Sequence, residues 1–312
     1  MNIAIRPLDQ QDLPEAERIF RLAFGTFLGL PDPLSFMGDA DLVKTRWRTD
    51  PSATLGAYSD GVLVGSNLAA NWGSFGFFGP LTVRPDLWEK GIAQKLLAPT
   101  MDLFEQWGTR QAALFTFPQS PKHIALYQKY GFWPQCLTAV MTKPPGGGAA
   151  EEWSTYAQVP LESREACLAA CRALTDEVFP GLDVRNEIRG VAEQGIGDTV
   201  LVYDGGNLCG LAICHLGKGS EAGTGSAYIK FGAVRPGPNA ARSFDRLLSA
   251  CEVFTHGQGI EKMVAGVNTA RHAAYRMMME RGFRLFIQGV AMQRPNEPGY
   301  NRPDRFVIDD WR

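Results

Sequence analysis

The stretch Leu81-Thr82-Val83-Arg84-Pro85-Asp86-Leu87-Trp88-Glu89-Lys90-Gly91, with the helical run Ile92 to Trp107 behind it, decides how the chain is read. It has the pattern of a strand that ends at Arg84-Pro85, turns through a short loop containing Gly91, and opens directly into an amphipathic helix. A helix start approached in this way is an anion site. The first-turn N–H groups have no intrahelical partners, the helix dipole adds partial positive charge, and a glycine lets a phosphate approach the main chain. Alone, the same residues also read as an ordinary strand-to-helix turn in which Gly91 relieves a tight bend.

Upstream, Ile3 and Ile5 alternate with polar neighbours as in a short strand, and Asp9 to Phe27 carries apolar residues at helical spacing. Pro31 and Pro33 make Leu28 to Phe36 a loop between two helices, of the kind that borders a binding site. Thr54 to Tyr58 and Val62 to Asn71 form a hairpin around Ser59-Asp60-Gly61, and a third strand, Phe77 to Val83, feeds the opening stretch. Downstream come strand Ala112 to Phe117, helix Ser120 to Tyr130 closed by Gly131, and strand Phe132 to Met141. An antiparallel meander that hands over to a β-α-β unit predicts an α/β (α+β) fold, a mixed, mostly antiparallel twisted sheet flanked by helices.

Lys143-Pro144-Pro145-Gly146-Gly147-Gly148 is the strongest linker signal. Beyond this linker the pattern of the first half recurs: strand Tyr156 to Pro160, helix Ser163 to Val178, a hairpin from Val200 to Tyr203 and Leu208 to His215, and strand Tyr228 to Val234. From there the halves align at an offset of 151 residues, as in Val83-Arg84-Pro85 with Val234-Arg235-Pro236, Gly131-Phe132 with Gly282-Phe283, and Met141 with Met292. Such a register marks an internal duplication. The expected organisation is 1–143 as a catalytic domain, 144–150 as linker, 151–295 as a degenerate copy and 296–312 as an irregular tail. Within that tail Arg305 to Trp311 can pack back as a short strand.

Bulk properties narrow the functional classes. With 31 basic and 33 acidic residues the net charge is −2, which gives no electrostatic case for nucleic acid or a membrane surface as partner. The six cysteines include no CxxC pair and there are four histidines, so no metal spacing exists and the thiols read as buried and free. No signal pattern or membrane-length apolar run is present, and a cytoplasmic setting is expected, as a monomer or homodimer.

With this strand order, Trp88-Glu89-Lys90-Gly91-Ile92-Ala93 resembles the acyl-CoA-binding loop of the GNAT superfamily of N-acetyltransferases, Arg/Gln-x-x-Gly-x-Gly/Ala. Both small positions match, while Trp88 replaces the Arg or Gln, which costs one pyrophosphate contact and leaves the main-chain donors. Ser120-Pro-Lys-His-Ile-Ala-Leu-Tyr-Gln-Lys-Tyr-Gly-Phe132 is similar to the family's Asn-x-x-Ala-x-x-x-Tyr-x-x-x-Gly-Phe helix, with Ser120 in the Asn place and Tyr127 on the tyrosine. The resemblance covers residues 1 to 143. It implies acetyl-CoA as acyl donor, a small-molecule or peptide amine as acceptor, and donor contacts from Leu81, Thr82, Val83, Trp88, Glu89, Lys90, Gly91, Ile92, Ala93, Ser120 and Lys122.

Acetyl transfer from a thioester to an amine develops an oxyanion and expels a thiolate that benefits from a proton. Tyr127 suits that task as general acid, since a phenol with a reference pKa of about 10 stays protonated beside a thiol of about 8.5. Its bland reading is a core aromatic beside Tyr130 and Phe132. Oxyanion donors come, as the resemblance implies, from main-chain N–H groups where Leu81 to Val83 splays from its neighbour. The base is left unassigned between His123, one turn before Tyr127 and expected in solvent, and carboxylates from Asp32 to Asp41 acting through water.

The second copy lacks this equipment. Arg242 stands in the place of Gly91, Phe244 in that of Ala93 and Met278 in that of Tyr127, with Asn239 as an expected helix cap. Arg235, Arg242, Arg271 and Arg276 could form a basic patch, and Tyr275 is a possible substitute acid. The copy reads as a brace or as a wall of the acceptor pocket. Rival functions are a non-catalytic acyl-CoA-binding scaffold and a ligase-like transferase using aminoacyl-tRNA; the near-neutral charge argues against the latter.

Overall fold

A computed structural model describes residues 2–312. In the first half the order is β1 (Ile3–Pro7), α1 (Leu13–Phe27), α2 (Leu42–Thr49), β2 (Thr54–Ser59), β3 (Val62–Trp72), β4 (Phe75–Val83), α3 (Ile92–Gln106), β5 (Gln111–Thr116), α4 (Pro121–Gln128) and β6 (Trp133–Lys143). The second half continues with β7 (Trp153–Thr155), α5 (Arg164–Val178), α6 (Arg185–Gln194), β8 (Gly197–Asp204), β9 (Asn207–Leu216), β10 (Ser226–Val234), α7 (Ala240–Gly257), β11 (Lys262–Asn268), α8 (His272–Glu280), β12 (Arg284–Arg294) and β13 (Val307–Ile308).

Local chemistry accounts for most boundaries. Asp60 and Gly61 both have positive φ (50° and 81°), the primed turn that matches strand twist in the β2–β3 hairpin. The Asp41 side chain accepts from the Lys44 N–H at 2.9 Å and starts α2. The expected strand at Tyr156 to Pro160 is displaced: β7 ends at Thr155, and Tyr156–Gln158 is a 3-10 turn closed by a Thr155/Gln158 capping box.

All strands join one 13-stranded sheet in the order β1-β2-β3-β4-β5-β12-β6-β11-β10-β9-β8-β7, with β13 beside β10. The last strands of the two halves are exchanged. β12 lies between β5 and β6, and β6 lies between β12 and β11, so each half completes the other's sheet. Residues 144–152 connect the halves without regular structure, while the hydrogen-bonded ladder runs straight across. On one face α3 and α4 place Leu97, Met101, Phe104 and Tyr127 against Phe78, Leu114, Val290 and Met292 of strands from both halves. On another, α5 and α6 of the second half bring Leu174 and Ile188 onto Trp72, Phe75 and Phe77 of the first. A shared core of this kind binds the halves through the hydrophobic effect as well as the ladder.

The halves differ most in the β3–β4 and β9–β10 connections. Gly73-Ser74 suffices in the first, whereas Gly217 to Gly225 in the second reaches across to α2. There Glu221 meets Arg46 at 2.7 Å and Lys230 at 2.7 Å, and Lys230 also meets Glu187 at 2.9 Å, all with side chains 6% exposed or less. Trp72 Nε1 donates to Glu187 at 3.0 Å, and Thr224 N–H to Asp39 at 2.8 Å. Burial pushes the Glu221 carboxyl up, but Arg46 and Lys230 overcome it and hold it well below the usual carboxylate range.

His215 lies inside this network with its Nε2 unpartnered, and burial pushes its pKa down to about 4. Its folded value lies below the unfolded value of about 6.5, so the unfolded chain takes up the proton first as pH falls. Melting temperature is therefore expected to drop between pH 6.5 and about 4. A His215→Gln chain followed by calorimetry over that range should show a shallower decline; an unchanged slope would contradict the assignment.

All six cysteines are free; Cys136 is exposed and Cys167 half-buried, so the expectation of uniformly buried thiols fails at those two. Among the described residues no helix is long and apolar enough to cross a membrane, and no His/Cys/Asp/Glu group could hold a metal ion.

Candidate active site

β4 and β5 run parallel and pair from Phe75 with Gln111 to Phe77 with Ala113, then part. The β3–β4 register shifts between Asn67 and Ala69, opposite the Gly79-Pro80 step, and this irregularity turns the end of β4 away from β5. Arg84 donates its N–H to Val64 across β3 at 2.9 Å. Because successive N–H groups along a strand alternate sides, Val83 and Leu81 point theirs into the gap. Thr82 faces β3 instead: it is buried, and its hydroxyl lies 3.1 Å from that of Ser66.

Beyond the gap Gly91 is the N-cap of α3 with φ 76° and ψ 8°. A side chain at Gly91 would be strained there, and its position is otherwise open, the nearest heavy atom being the end of Gln94 at 3.7 Å from a Cβ. Glu89 also has positive φ, 63°, so the turn alternates handedness, as in the backbone concavities that bind anions. Ile92 is fully buried and roots the first turn of α3, while Lys90 is exposed and Ala93 half-buried at its rim. Trp88 is 39% exposed and its indole N–H donates to the Val83 carbonyl at 2.7 Å. In place of a charged phosphate contact it ties the loop to the end of β4. The resulting cradle and gap fit an acyl-CoA pyrophosphate and the arm beyond it.

α4 supplies the other wall. Ser120 is its buried N-cap residue and makes no capping bond with its side chain. Lys122, close behind it, forms an exposed ion pair with Glu89 across the mouth. Tyr127 is 8% exposed and packs edge-on to Phe78 at 5.7 Å between ring centroids, in the cluster that also holds Leu114 of β5. Burial pushes its pKa up, with Thr116 opposing, so it stays a neutral donor. It is thus a core aromatic whose phenol stays protonated beside β4 and β5.

His123 is not the solvated side chain expected. It is half-buried, packed at a tilt against Phe27 of α1 with ring centroids 5.0 Å apart, and Phe27 in turn lies 5.2 Å from Phe117. Burial, and then the charge of Lys122, lower its pKa and keep the ring neutral. The loop carboxylates are occupied: Asp32 caps a 3-10 turn through Leu34 N–H, Asp39 holds Thr224, and Asp41 caps α2. Sequence reasoning missed that role for Asp41, although an Asp directly before a helical run is a capping signal.

The second half has no such site. Its α7 starts at Ala240, ahead of the position equivalent to Ile92, and Phe244 and Met278 fill the core. Asn239 stands at the cap position without a side-chain cap bond. The four arginines do not form a patch. Arg235 pairs with Glu177, Arg276 with Glu280 at 3.2 Å, and Arg271 is fully buried on Asp309 at 2.6 Å.

The architecture is that of two GNAT units in tandem. Residues 17–132 match the model of the acetyltransferase (GNAT) family, whose acyl donor is acetyl-CoA. A structure of a Pyrococcus horikoshii protein superposes with TM-score 0.70 at 12% identity over 99% of this chain and 95% of that one. A GCN5-related N-acetyltransferase from Sphaerobacter thermophilus gives 0.60 at 15% over 94% and 95%. A tandem GNAT protein from the clavulanic acid biosynthesis pathway gives 0.56 at 15% over 94% and 98%. At these identities the likeness establishes the fold. No curated protein matches the sequence.

Proposed function

We propose that the chain transfers the acetyl group of acetyl-CoA to a primary amine by direct attack, through the first half alone. One observation carries this reading. The open Gly91 turn, the β4–β5 gap and Tyr127 packed on Phe78 of β4 occur together in the first half; in the second, Arg242 and Met278 replace Gly91 and Tyr127 and the corresponding gap is occupied by β13. Residues 1–143 then form the catalytic unit, with 144–150 as connector and 151–295 bracing it.

Bound acetyl-CoA supplies the activated acetyl group as a thioester. The N–H groups of Leu81 and Val83 are positioned to stabilise the negative carbonyl oxygen that builds up when the amine attacks. Tyr127 donates its hydrogen bond to the sulfur as the C–S bond breaks, and its proton then completes the thiol. His123, neutral and on the α1 side, accepts the proton that the new amide nitrogen must lose. Gly91, Ile92 and Ala93 offer main-chain N–H groups to the pyrophosphate, Trp88 and Glu89 shape that loop, and Lys90, Lys122 and Ser120 line the donor's path.

Thiol release from acetyl-CoA across a panel of small and peptide amines tests the reading. Amine-dependent release is expected with at least one acceptor; tight donor binding with no release for any amine would leave a binding protein.

A further inference from the structure

β10 and β11 pair from Ser226 with Lys262 to Ile229 with Ala265 and then part, as β4 and β5 do. Here the gap is filled. The chain returns after β12 so that β13 lies antiparallel to β10, with Val307 opposite Ala233 and Ile308 opposite Gly232. The Val234 N–H donates to the Phe306 carbonyl at 3.3 Å. Gly232, Ala233 and Val234 are the repeats of Leu81, Thr82 and Val83.

The walls of the gap have adapted to this occupant. Phe306 packs on Phe244 at 5.3 Å, and both, with Ile308 and Ala274, belong to one buried cluster. Phe244 repeats Ala93, and Ala274 repeats His123. Arg271, the repeat of Ser120, is fully buried and donates to the Val307 carbonyl at 3.0 Å, to Asn301 at 2.9 Å and to Asp309 at 2.6 Å. Gly266 lets the Asp310 side chain sit where any Cβ would clash, and Asp310 accepts from Tyr228 at 2.8 Å.

We propose that the second half's acyl-CoA slot has become a strand-binding site whose ligand is the chain's own segment Phe306 to Ile308, leaving one donor site per chain. Extended peptide satisfies β10 through main-chain bonds and alternate side chains, the way a strand adds to a sheet edge. The same segment carries the second half to the first. Trp311 packs on Phe75 at 5.2 Å, and the Arg312 carbonyl accepts from Arg46, which also donates to the Gly79 carbonyl in β4. Filling one slot therefore braces the strand that shapes the other.

Residue-resolved amide hydrogen exchange on the full chain, with and without acetyl-CoA, tests this. Gly232 and Val234 are expected to exchange about 100-fold or more slowly than Leu81 and Val83 when no donor is present, since only the former are bonded. Added acetyl-CoA should slow Leu81 and Val83 and leave Gly232 and Val234 unchanged. Equal, fast exchange at all four without donor, or new slowing of Gly232 and Val234 with it, would overturn the proposal. If Gly232 and Val234 are slow while Leu81 and Val83 ignore acetyl-CoA, the peptide-filled slot stands and the donor site in the first half fails.

Discussion

Tyr127→Phe is expected to lower turnover by about 100-fold or more while leaving the acetyl-CoA affinity within a few-fold of wild type, because general acid help is felt as the C–S bond breaks. The ring remains, so its contact with Phe78 and its place in the α3–α4 core should survive. A merely structural tyrosine would instead lose little activity, or lose it together with thermal stability. His123→Phe provides the contrasting arm. It keeps an aromatic ring against Phe27 and removes the proton acceptor, so turnover should fall at pH values above the lowered histidine pKa, where the wild-type ring is neutral, and approach wild type as the pH falls below it. Unchanged turnover in His123→Phe would remove the histidine from the reaction without touching the case for Tyr127.

Glu221→Gln should destabilise the protein by about 3–5 kcal/mol, the usual cost of removing one partner from a buried ion pair. Lys230 would keep Glu187, while Arg46 would be left buried with only the backbone oxygens of Gly79 and Arg312 as partners and no carboxylate paired to it. Since the loop Gly217 to Gly225 meets α2 through this carboxylate, the loss should appear as a lower denaturation midpoint for the whole chain. One cooperative transition is expected, because the ladder crosses from half to half. Pairing Glu221→Leu with Arg46→Met should cost less than the sum of the single changes, since the double variant no longer buries a lone charge at that contact. Additive losses measured by urea denaturation would show that the two side chains act independently.

Much of this architecture was legible because its signals are local. Asp60-Gly61 specified a hairpin, Gly91 a helix start and Gly131 a helix end, and the repeat carried the same reading into the second half. The partner choice of the last strands was not legible. β6 and β12 occupy equivalent places in the repeat, so either could complete either half, and only long-range packing selects the exchange. Trp88 looked like a missing phosphate ligand; its role needs the Val83 carbonyl at the strand end, which no sequence spacing reveals. His123 was expected in water because it opens a helix, and Phe27, far away in the chain, covers it. The tail's composition suggested irregular chain, which describes residues 295–305, and the short strand expected within Arg305 to Trp311 is present as β13; what the sequence did not reveal is that Arg271 holds it in the interior. The network of Arg46, Glu221, Lys230 and Glu187 was missed altogether, since single charged residues scattered along a sequence read as solvated surface.

Calorimetric titration of acetyl-CoA into the wild-type chain and into Gly91→Arg tests the central claim most directly. The substitution places at the first turn the residue type that Arg242 supplies in the second, and it strains a backbone position with φ 76°. One binding event per chain in the wild type and none in Gly91→Arg is the expected result. Two events in the wild type, or one that persists in Gly91→Arg, would contradict a single donor site in the first half.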